Sequence, residues 1–422
     1  MRLAYRFECR EHTDELLSMC KVSKDLYNQA LYAYNQAKEN EGRYLTYYDL
    51  AKLMPSVTNL EGNTNYRLLK AQVAQQTIKK LMSNIDGFYK SMKLWKADPS
   101  KFKGMPKFPK YLKRNSRYQV TFTNQSCSIR NGILSFSRSV AVHIPQWEKY
   151  RERIEKFQQV RVLPKDGYAV VEIVYETGEL NETLDRNRVA AIDLGVSNLV
   201  TMVTDFSRPV IYSGKQLKAK NQWFNKQLSK LKSAADKCNG RKTTKKIKTL
   251  YANRERKMHD AMHKISRHIV GVLVKNGVGR LVMGHNSGWK DSTALGKVNN
   301  QNFTQIPYDK LISMLRYKCA CCGILFEVTE ESYTSKCDAL AFEEICKHEK
   351  YLGKRIKRGL FQSSAGKLVN ADVNGALNIM RKVVGDSGAV RGIADSGRLF
   401  RPVRVKDIYS LSEMDFISLN EI

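Results

Sequence analysis

The chain of 422 residues carries 72 Lys and Arg residues against 41 Asp and Glu residues, a formal net charge of +31. Hydrophobic residues make up 42% of the sequence, which excludes a chain that is disordered throughout. No apolar run approaches the roughly 18 residues of a membrane helix, and the first residues lack the apolar stretch of a signal peptide. The nine cysteines, an odd number, disfavour a disulfide framework. We therefore expect a cytoplasmic protein that makes no membrane contact and binds nucleic acid.

The positive charge is concentrated in two segments. Residues 211–280 contain 19 Lys and Arg residues against three acidic residues, and residues 90–117 contain 10 against one. A solvated helix face usually alternates its charges, so these blocks favour nucleic-acid binding; a basic surface neutralised by counterions is the alternative. Aromatic residues interleave with the second block, where some rings would stack on unpaired bases and others would belong to the core. They are Trp95, Phe102, Phe108, Tyr111 and Tyr118.

In chain order, a short strand at residues 2–7 precedes a mainly helical region at residues 11–96, where apolar positions recur at helical spacing. Residues 101–110 contain Gly104, Pro106 and Pro109, which predict an extended basic linker. Beyond the linker the pattern changes to short β-rich runs at residues 118–122, 133–136, 140–144, 160–163 and 169–175. These runs predict a small β-barrel, which the first strand would join.

From residue 188 onwards, predicted strands alternate with predicted helices, which indicates an α/β layer. The strands are expected at residues 189–193, 199–204, 280–283 and 324–329, and the helices at about 215–276, 307–318 and 372–383. The last forty residues carry no pattern that predicts a function.

Two aspartates of this region stand out by position. Asp193 ends an apolar strand, where a carboxylate must face solvent, pair with another group or bind a cation. Asp372 lies at the start of a predicted helix, where a carboxylate commonly does no more than favour the helix dipole. Taken together, the two aspartates also fit a nuclease.

The segments around these aspartates resemble the TnpB family of transposon-encoded nucleases, the ancestors of the type V CRISPR effectors. Six colinear segments carry the resemblance, and two more lie upstream. They are AIDLGVSNLVT (191–201), VGRLVMGHNSGWK (278–290), FTQIPYDKLISMLRYK (303–318), TEESYTSKCD (329–338), GKRIKRGLF (353–361) and NADVNGALNI (370–379), with AQVAQQTIKK (71–80) and KGMPKFPKY (103–111) upstream. The resemblance therefore covers nearly the whole chain.

The resemblance implies a multidomain α+β fold. Residues 1–10 and 111–187 would form a wedge-like β-barrel, residues 11–110 a helical recognition domain, and residues 188–422 an RNase H-like α/β nuclease domain of the RuvC type. The nuclease domain would contain a small insert at about 332–369 that binds target nucleic acid, and a C-terminal tail at 385–422.

The nuclease motif departs from the commonest family pattern at its middle acid. The family usually has a glutamate at the end of the strand that here reads RLVMGHN, where this chain has Gly284, which cannot hold a metal. Some relatives carry a relocated glutamate further along the chain. We expect Glu331 to take this role because it lies where the family's Tyr-Thr-Ser turn begins. Glu330 is the alternative, since strand alternation would place it on a different face from Glu331.

The resemblance implies the chemistry and the partners as well. Asp193, Glu331 and Asp372 would hold two Mg²⁺ (or Mn²⁺) ions for phosphodiester hydrolysis. A guide RNA derived from the transposon end would pair with one strand of double-stranded DNA next to a short flanking motif, and the single RuvC site would cut both strands. The alternatives are a nuclease-dead RNA-guided repressor and a compact type V CRISPR effector. A transposase shares the fold, but no motif favours it.

Basic residues outside the acidic site are the expected nucleic-acid contacts. They are Lys103, Lys107, Lys110, Tyr111, Lys113, Arg114, Arg241, Lys242, Lys245, Lys246, Arg355, Lys357 and Arg358. Many relatives carry two Cys-x-x-Cys pairs in the insert, whereas this insert offers Cys337, Cys346 and His348. Cys319 and Cys322 have the spacing of a pair but lie upstream. Structural zinc is not expected, because a tetrahedral site needs four preoriented ligands.

Overall fold

The structure, a computed structural model, describes residues 2–59, 61–154, 156–176, 184–239, 243–286, 301 and 304–411. The chain divides into two compact units, Met1–Gly178 and Glu179–Ile422, and each is described by itself. Within the described residues, no helix is both long enough and apolar enough to cross a bilayer.

The first unit begins with a strand followed by helices. These elements are β1 (Arg2–Cys9), α1 (Thr13–Glu41), α2 (Tyr47–Leu53) and α3 (Ala71–Ala97). Helix α1 ends at Gly42, whose φ of 63° is the left-handed conformation that glycine adopts without strain. Helix α2 starts with a capping box, in which Thr46 and Asp49 each accept a hydrogen bond from the other's backbone N–H.

The strands of the first unit form two antiparallel sheets. The elements are β2 (Val120–Thr123), β3 (Ser128–Arg130), β4 (Ile133–Ser135), β5 (Ala141–His143), α4 (Trp147–Ile154), β6 (Phe157–Pro164) and β7 (Ala169–Glu176). One sheet has the order β1-β7-β6-β2 and the other β3-β4-β5. The rings of Phe122 and Phe136, 4.7 Å apart, join the two sheets. One hydrophobic core contains both helix residues, such as Leu26 and Ile78, and strand residues, such as Val160.

The second unit is built on a six-stranded sheet and a smaller three-stranded sheet. Its strands are β8 (Asp185–Leu194), β9 (Asn198–Thr204), β10 (Val210–Ser213), β11 (Val278–Gly284), β12 (Leu325–Thr329), β13 (Lys354–Lys357), β14 (Leu360–Gln362), β15 (Leu368–Asn370) and β16 (Val403–Val405). The large sheet has the order β12-β11-β8-β9-β10-β16, and β13-β14-β15 form the small one. Strands β12, β11 and β8 are parallel neighbours, whereas β9 runs antiparallel to β8 and β10.

Helices cover both faces of the large sheet. They are α5 (Lys215–Asn239), α6 (Lys245–Lys275), α7 (Tyr308–Cys321), α8 (Ala371–Val384) and α9 (Gly388–Asp395). Alternate residues of β8 point to opposite faces: Ala190 and Ile192 join the core beneath α6 and α7, while Ala191 joins the core beneath α8. The same alternation puts Asp193 on the side of α8.

Most predicted elements of both units are present within a few residues of their expected bounds, and the first strand joins the sheet of the first unit as expected. The single basic helix expected at 215–276 consists of two helices, α5 and α6. The sequence patterns missed β3, α4, β10, β13, β14, β15, α9 and β16, which are short. The predicted division into three domains stays a prediction.

Candidate active site

Three acidic residues lie at the same edge of the large sheet. Strands β8, β11 and β12 are parallel, so their carboxyl ends meet at one edge. Asp193 is the penultimate residue of β8, and Glu331 follows the last residue of β12 by two positions. Asp372 lies in the first turn of α8, which covers this face of the sheet. Thus separate elements bring these three carboxylates together.

Asp193 is partly buried beneath α8. A Cβ placed on Gly375 of α8 would lie 3.2 Å from Oδ2 of Asp193, so the absence of a side chain at this position lets the helix approach the carboxylate. Burial raises the pKa of Asp193 well above its usual range, and the charges of Asp372 and Glu331 raise it further. The carboxylates of Asp372 and Glu331 therefore lie close enough to Asp193 for their charges to disfavour its ionisation.

Asp372 is held from two sides. Nδ2 of Asn198, the first residue of β9, donates a hydrogen bond to Oδ2 of Asp372 at 2.6 Å. Nη2 of Arg355, in β13, lies 3.7 Å from Oδ1 of the same carboxylate. The backbone start of α8 is fixed separately, because the side chain of Asn370 accepts hydrogen bonds from the N–H groups of Asp372 and Val373.

Glu331 lies directly against Gly284, the last residue of β11. A Cβ placed on Gly284 would lie 3.3 Å from Cβ of Glu331 and 2.5 Å from Cδ1 of Ile379. The pKa of Glu331 is raised because its carboxyl group is buried, although the charge of Lys382 opposes the shift. Glu331 therefore approaches the sheet edge where a side chain at position 284 would otherwise stand.

The structure orients Glu330 differently. This side chain is exposed, and its Oε1 accepts a hydrogen bond from Ser332. Its carbonyl oxygen accepts a hydrogen bond from Nζ of Lys382 at 3.1 Å. Of the two adjacent glutamates, Glu331 is the one whose charge raises the pKa of Asp193.

The loop that carries Glu331 is anchored to its neighbours. The backbone N–H of Glu331 donates to Oδ1 of Asn286 at 3.0 Å, and its carbonyl oxygen accepts a hydrogen bond from Oγ1 of Thr334 at 2.7 Å. Asn378 of α8 donates to the carbonyl oxygens of Thr334 and Cys337. Because α8 also carries Asp372, one helix positions both the acid at its start and the loop of Glu331.

The loop after Asp193 is fixed in a similar way. The hydroxyl group of Tyr308, a fully buried residue of α7, donates to the carbonyl oxygen of Gly195 at 2.8 Å. A Cβ on Gly195 would lie 2.5 Å from the carbonyl oxygen of Asn198, so the tight approach in this loop requires glycine. These contacts fix the short loop that connects Asp193 to Asn198.

The donor chemistry of this cluster fits a hard divalent cation. Its three carboxylates offer oxygen ligands, and a bound cation would offset the repulsion that Asp372 and Glu331 exert on Asp193. In the part of the chain that the structure describes, no three His, Cys, Asp or Glu side chains are already arranged as a metal-binding group. Both oxygens of Asp372 face nitrogen donors, namely Nδ2 of Asn198 and Nη2 of Arg355.

The cysteines of the insert make contacts with protein groups. Sγ of Cys346 lies 3.4 Å from Nε2 of His348, and Cys337 is buried with its thiol directed at the carbonyl oxygen of Cys346. Cys319 is buried in the core beneath α6 and α7, and Cys322 packs against the same core. The expectation that structural zinc is absent stays a prediction.

The predicted nucleic-acid contacts are mostly exposed. In the first unit these are Lys103, Lys107, Lys110, Tyr111, Lys113 and Arg114, and in the second unit Lys245, Lys246, Arg355, Lys357 and Arg358. Arg241 and Lys242 lie outside the described residues. Arg355 lies 3.7 Å from Asp372, and Arg358 lies 3.5 Å from the hydroxyl group of Ser197, the residue before Asn198. Phe108 and Tyr118, two of the interleaved aromatics, pack against the core of the first unit.

The sequence patterns did not assign a role to Asn198, Gly375 or Asn378. All three lie inside the quoted motifs, yet spacing along the chain does not reveal which side chain an amide contacts or which carboxylate a helix glycine faces. The contacts become visible only when the three elements are brought together.

Comparisons with family models match two parts of this chain. Residues 172–290 match OrfB_IS605, described as a probable transposase. Residues 308–379 match the Cas12f1-like TNB domain. Both matches lie within the region where the sequence motifs cluster.

A curated relative and solved structures extend these matches. The TnpB-like protein ORF457 of Acidianus two-tailed virus is 25% identical over 207 residues, 47% of this chain; the chain spans 42% of the length of that relative. A Cas12f1-sgRNA-target DNA complex aligns with a TM-score of 0.56 and 16% identity over 87% of this chain and 82% of that one. The mini-RNA-guided endonuclease CRISPR-Cas_phi3 aligns with a TM-score of 0.55 and 10% identity over 93% of each chain. At such identities the structural likeness shows a shared multidomain α+β fold.

Proposed function

Because this chain is a TnpB-family protein, we propose that it is an RNA-guided DNA endonuclease that cuts double-stranded DNA next to a short flanking motif. The observation that carries the proposal is the convergence of Asp193, Glu331 and Asp372 at one edge of the large sheet. Three carboxylates in a chain with a net charge of +31 suit a protein that binds a polyanion and hydrolyses it at one acidic site.

Asp193, Glu331 and Asp372 would hold the Mg²⁺ or Mn²⁺ ions. When bound, such ions activate water and stabilise the leaving oxygen of a phosphodiester. The protein's own groups orient the acids: Asn198 donates to Asp372, and the Gly375 face of α8 packs against Asp193. Arg355 and Arg358 lie beside the acids, where exposed guanidinium groups would bind the phosphates of the strand to be cut.

The partners of the proposed reaction are a guide RNA from the transposon end and a target DNA duplex. The exposed cations at residues 103–114, 245–246 and 355–358 support this assignment, because phosphate contacts supply most of the affinity for nucleic acid. One solved protein of the same fold is described in complex with a single guide RNA and target DNA. Guide pairing would supply most of the sequence specificity.

The test is cleavage by the assembled complex. The protein is produced together with the RNA encoded around its own gene, and the RNA that co-purifies is sequenced. The complex is then incubated with Mg²⁺ and a plasmid library that carries the matching target beside randomised flanking bases. We expect the wild-type complex to linearise plasmids with one flanking motif, and Asp193→Ala to bind the same plasmids without cutting them.

Three other outcomes would each contradict a part of the proposal. Tight, guide-dependent binding without cleavage by the wild-type protein would identify a nuclease-dead RNA-guided repressor. Co-purified RNA that derives from a repeat array, rather than from the end of a transposon, would identify a CRISPR effector. An absorbance ratio at 260 and 280 nm typical of protein alone, after purification in moderate salt, would count against a stably bound guide.

A further inference from the structure

Asn198 links the proposed catalytic site to the C-terminal strand. Its Nδ2 donates to Oδ2 of Asp372 at 2.6 Å, and its Oδ1 accepts a hydrogen bond from Nη1 of Arg404 at 3.3 Å. Arg404 is the middle residue of β16, the strand at the far end of the large sheet, and its side chain is exposed. Asn198 therefore bridges Asp372 and Arg404, both of which are far from it in the sequence.

The chemistry of the two neighbours fixes the orientation of the amide. A guanidinium group has only donors, so it must face the oxygen of Asn198. The NH₂ group then faces Asp372, whose ionised carboxylate only accepts hydrogen bonds. The amide of Asn198 carries both an acceptor and a donor, so it satisfies both neighbours at once. The carboxylate of an aspartate at position 198 would still accept from Arg404 but would repel Asp372.

The contact also selects which oxygen of Asp372 remains available. Oδ2 accepts the 2.6 Å hydrogen bond from Asn198, whereas Oδ1 faces the exposed Arg355 at the longer distance of 3.7 Å. A mobile surface arginine is displaced more readily than a short hydrogen bond to an amide at the start of a strand. With Oδ2 held by Asn198, Oδ1 of Asp372 is the oxygen that can exchange Arg355 for a cation.

We propose that Asn198, oriented by Arg404, is a positioning residue that holds Asp372 with Oδ1 directed at the cation. This inference rests on the proposed nuclease function. It makes β16, a strand without a recognisable motif, part of the active-site architecture. Groups that orient a metal ligand typically change metal affinity or activity by about 10–100-fold when they are removed.

The experiment measures cation affinity and cleavage in the same complexes. Mn²⁺ binding to the guide-loaded protein is measured by electron paramagnetic resonance, and the Mg²⁺ concentration for half-maximal plasmid cleavage is measured in parallel. Asn198→Ala should weaken Mn²⁺ binding and raise that Mg²⁺ concentration by about tenfold or more, without changing target-DNA affinity. Asn198→Asp should be at least as impaired as Asn198→Ala. Asn187→Ala, at the exposed opposite end of β8, is the matched control and should behave like wild type.

A double-mutant cycle tests the role of Arg404. Arg404→Met should produce a smaller loss than Asn198→Ala, and the double variant should match Asn198→Ala, because Arg404 acts through Asn198. Because Arg404 is exposed, its substitution leaves the fold intact even if Asn198→Ala unfolds the site. Wild-type Mn²⁺ affinity in both Asn198→Ala and Arg404→Met, in complexes that cut DNA, would overturn the inference while leaving the nuclease proposal intact. Wild-type complexes that do not cut would overturn the nuclease proposal instead.

Discussion

Cβ of Glu331 lies 3.3 Å from the position that a Cβ on Gly284 would occupy. In the proposed site, Glu331 from the loop after β12 takes the place of an acid at the end of the neighbouring strand β11. Because the two strands are parallel neighbours, a carboxylate can enter the same edge of the sheet from either of them. The contact supports the proposal that Glu331 is a relocated acid, because Gly284 has no side chain where Glu331 approaches the edge of the sheet.

The first prediction separates the two adjacent glutamates. Glu331→Gln should reduce Mg²⁺-dependent cleavage by more than ~100-fold, because it removes a charge of the acidic cluster while keeping the shape of the side chain. Glu330→Gln is the matched control; this side chain is exposed, so cleavage should stay within about twofold of wild type. The measurement is the single-turnover rate of plasmid cleavage at saturating guide RNA. A large loss in Glu330→Gln with an active Glu331→Gln would reverse the assignment.

The second prediction concerns the space available for a side chain at position 284. Gly284→Ala should destabilise the protein by about 1–3 kcal/mol, because the new Cβ would lie 2.5 Å from Cδ1 of Ile379. Ile379→Val removes that Cδ1 atom. The double variant should therefore unfold at a higher denaturant concentration than Gly284→Ala alone, a coupling that a double-mutant cycle measures. Equal destabilisation of the single and double variants would show that Ile379 does not limit the space.

Sequence patterns predicted the parts of this molecule that local chemistry determines. Apolar periodicity located strand β8 and helix α8, and the motifs placed Asp193 and Asp372 on them. The patterns could not reveal that Glu331 faces Gly284, because that contact depends on the register of two strands more than forty residues apart. Short elements such as β16 were missed because three residues carry too little periodicity to be recognised. Strand β16 forms by pairing with β10, which is distant in the sequence.

The third prediction uses the glycine in α8 that faces Asp193. Gly375→Ala places a methyl group 3.2 Å from Oδ2 of Asp193, which must shift by a few tenths of an ångström. Alanine in a helix interior is also more favourable than glycine by roughly 0.5–1 kcal/mol. We therefore expect thermal stability to be retained or increased while cleavage falls by about tenfold. Gly392→Ala in α9, where the added methyl group meets open space, is the control that should leave cleavage unchanged. Unchanged cleavage in Gly375→Ala would contradict the prediction.

The fourth prediction addresses the repulsion among the acids. Burial and the neighbouring charges raise the pKa of Asp193 above its unfolded value, so its ionisation opposes folding. This destabilisation is fully present at pH values above the raised pKa and disappears as the pH falls below the ordinary range for an aspartate. In cation-free buffer at neutral pH, Asp193→Asn should therefore unfold a few degrees above wild type, and the difference should vanish in acid.

Added Mg²⁺ provides the complementary measurement. It should raise the midpoint of thermal unfolding of wild type more than that of Asp193→Asn, because a cation that binds the folded state more tightly stabilises it more at the same concentration. The unfolding of both proteins is followed by circular dichroism with and without the cation. A lower midpoint for Asp193→Asn in cation-free buffer at neutral pH would show that the carboxylate is stabilised by contacts other than a cation.

The last prediction concerns the insert, whose fold depends on a buried carboxylate. Asp338 is fully buried, and its Oδ2 accepts hydrogen bonds from the hydroxyl group of Ser363 at 2.8 Å and the N–H of Ser364 at 2.7 Å. Its Oδ1 accepts a hydrogen bond from the N–H of Leu340 at 3.1 Å. All of these partners are hydrogen-bond donors, so the two carboxylate oxygens of Asp338 connect the start of the insert to Ser363 and Ser364 near its end.

Asp338→Asn turns one of these acceptors into a donor that faces another donor. The substitution should destabilise the insert by about 1–3 kcal/mol and speed its cleavage in limited proteolysis. Glu349→Gln, an exposed acid of the same insert, is the control and should be cleaved at the wild-type rate. A zinc-selective chelator should leave the proteolysis of wild type unchanged, since the ties at Asp338 need no metal. Faster proteolysis of wild type with the chelator, and an unchanged rate in Asp338→Asn, would instead point to Cys337, Cys346 and His348 as the groups that hold the insert.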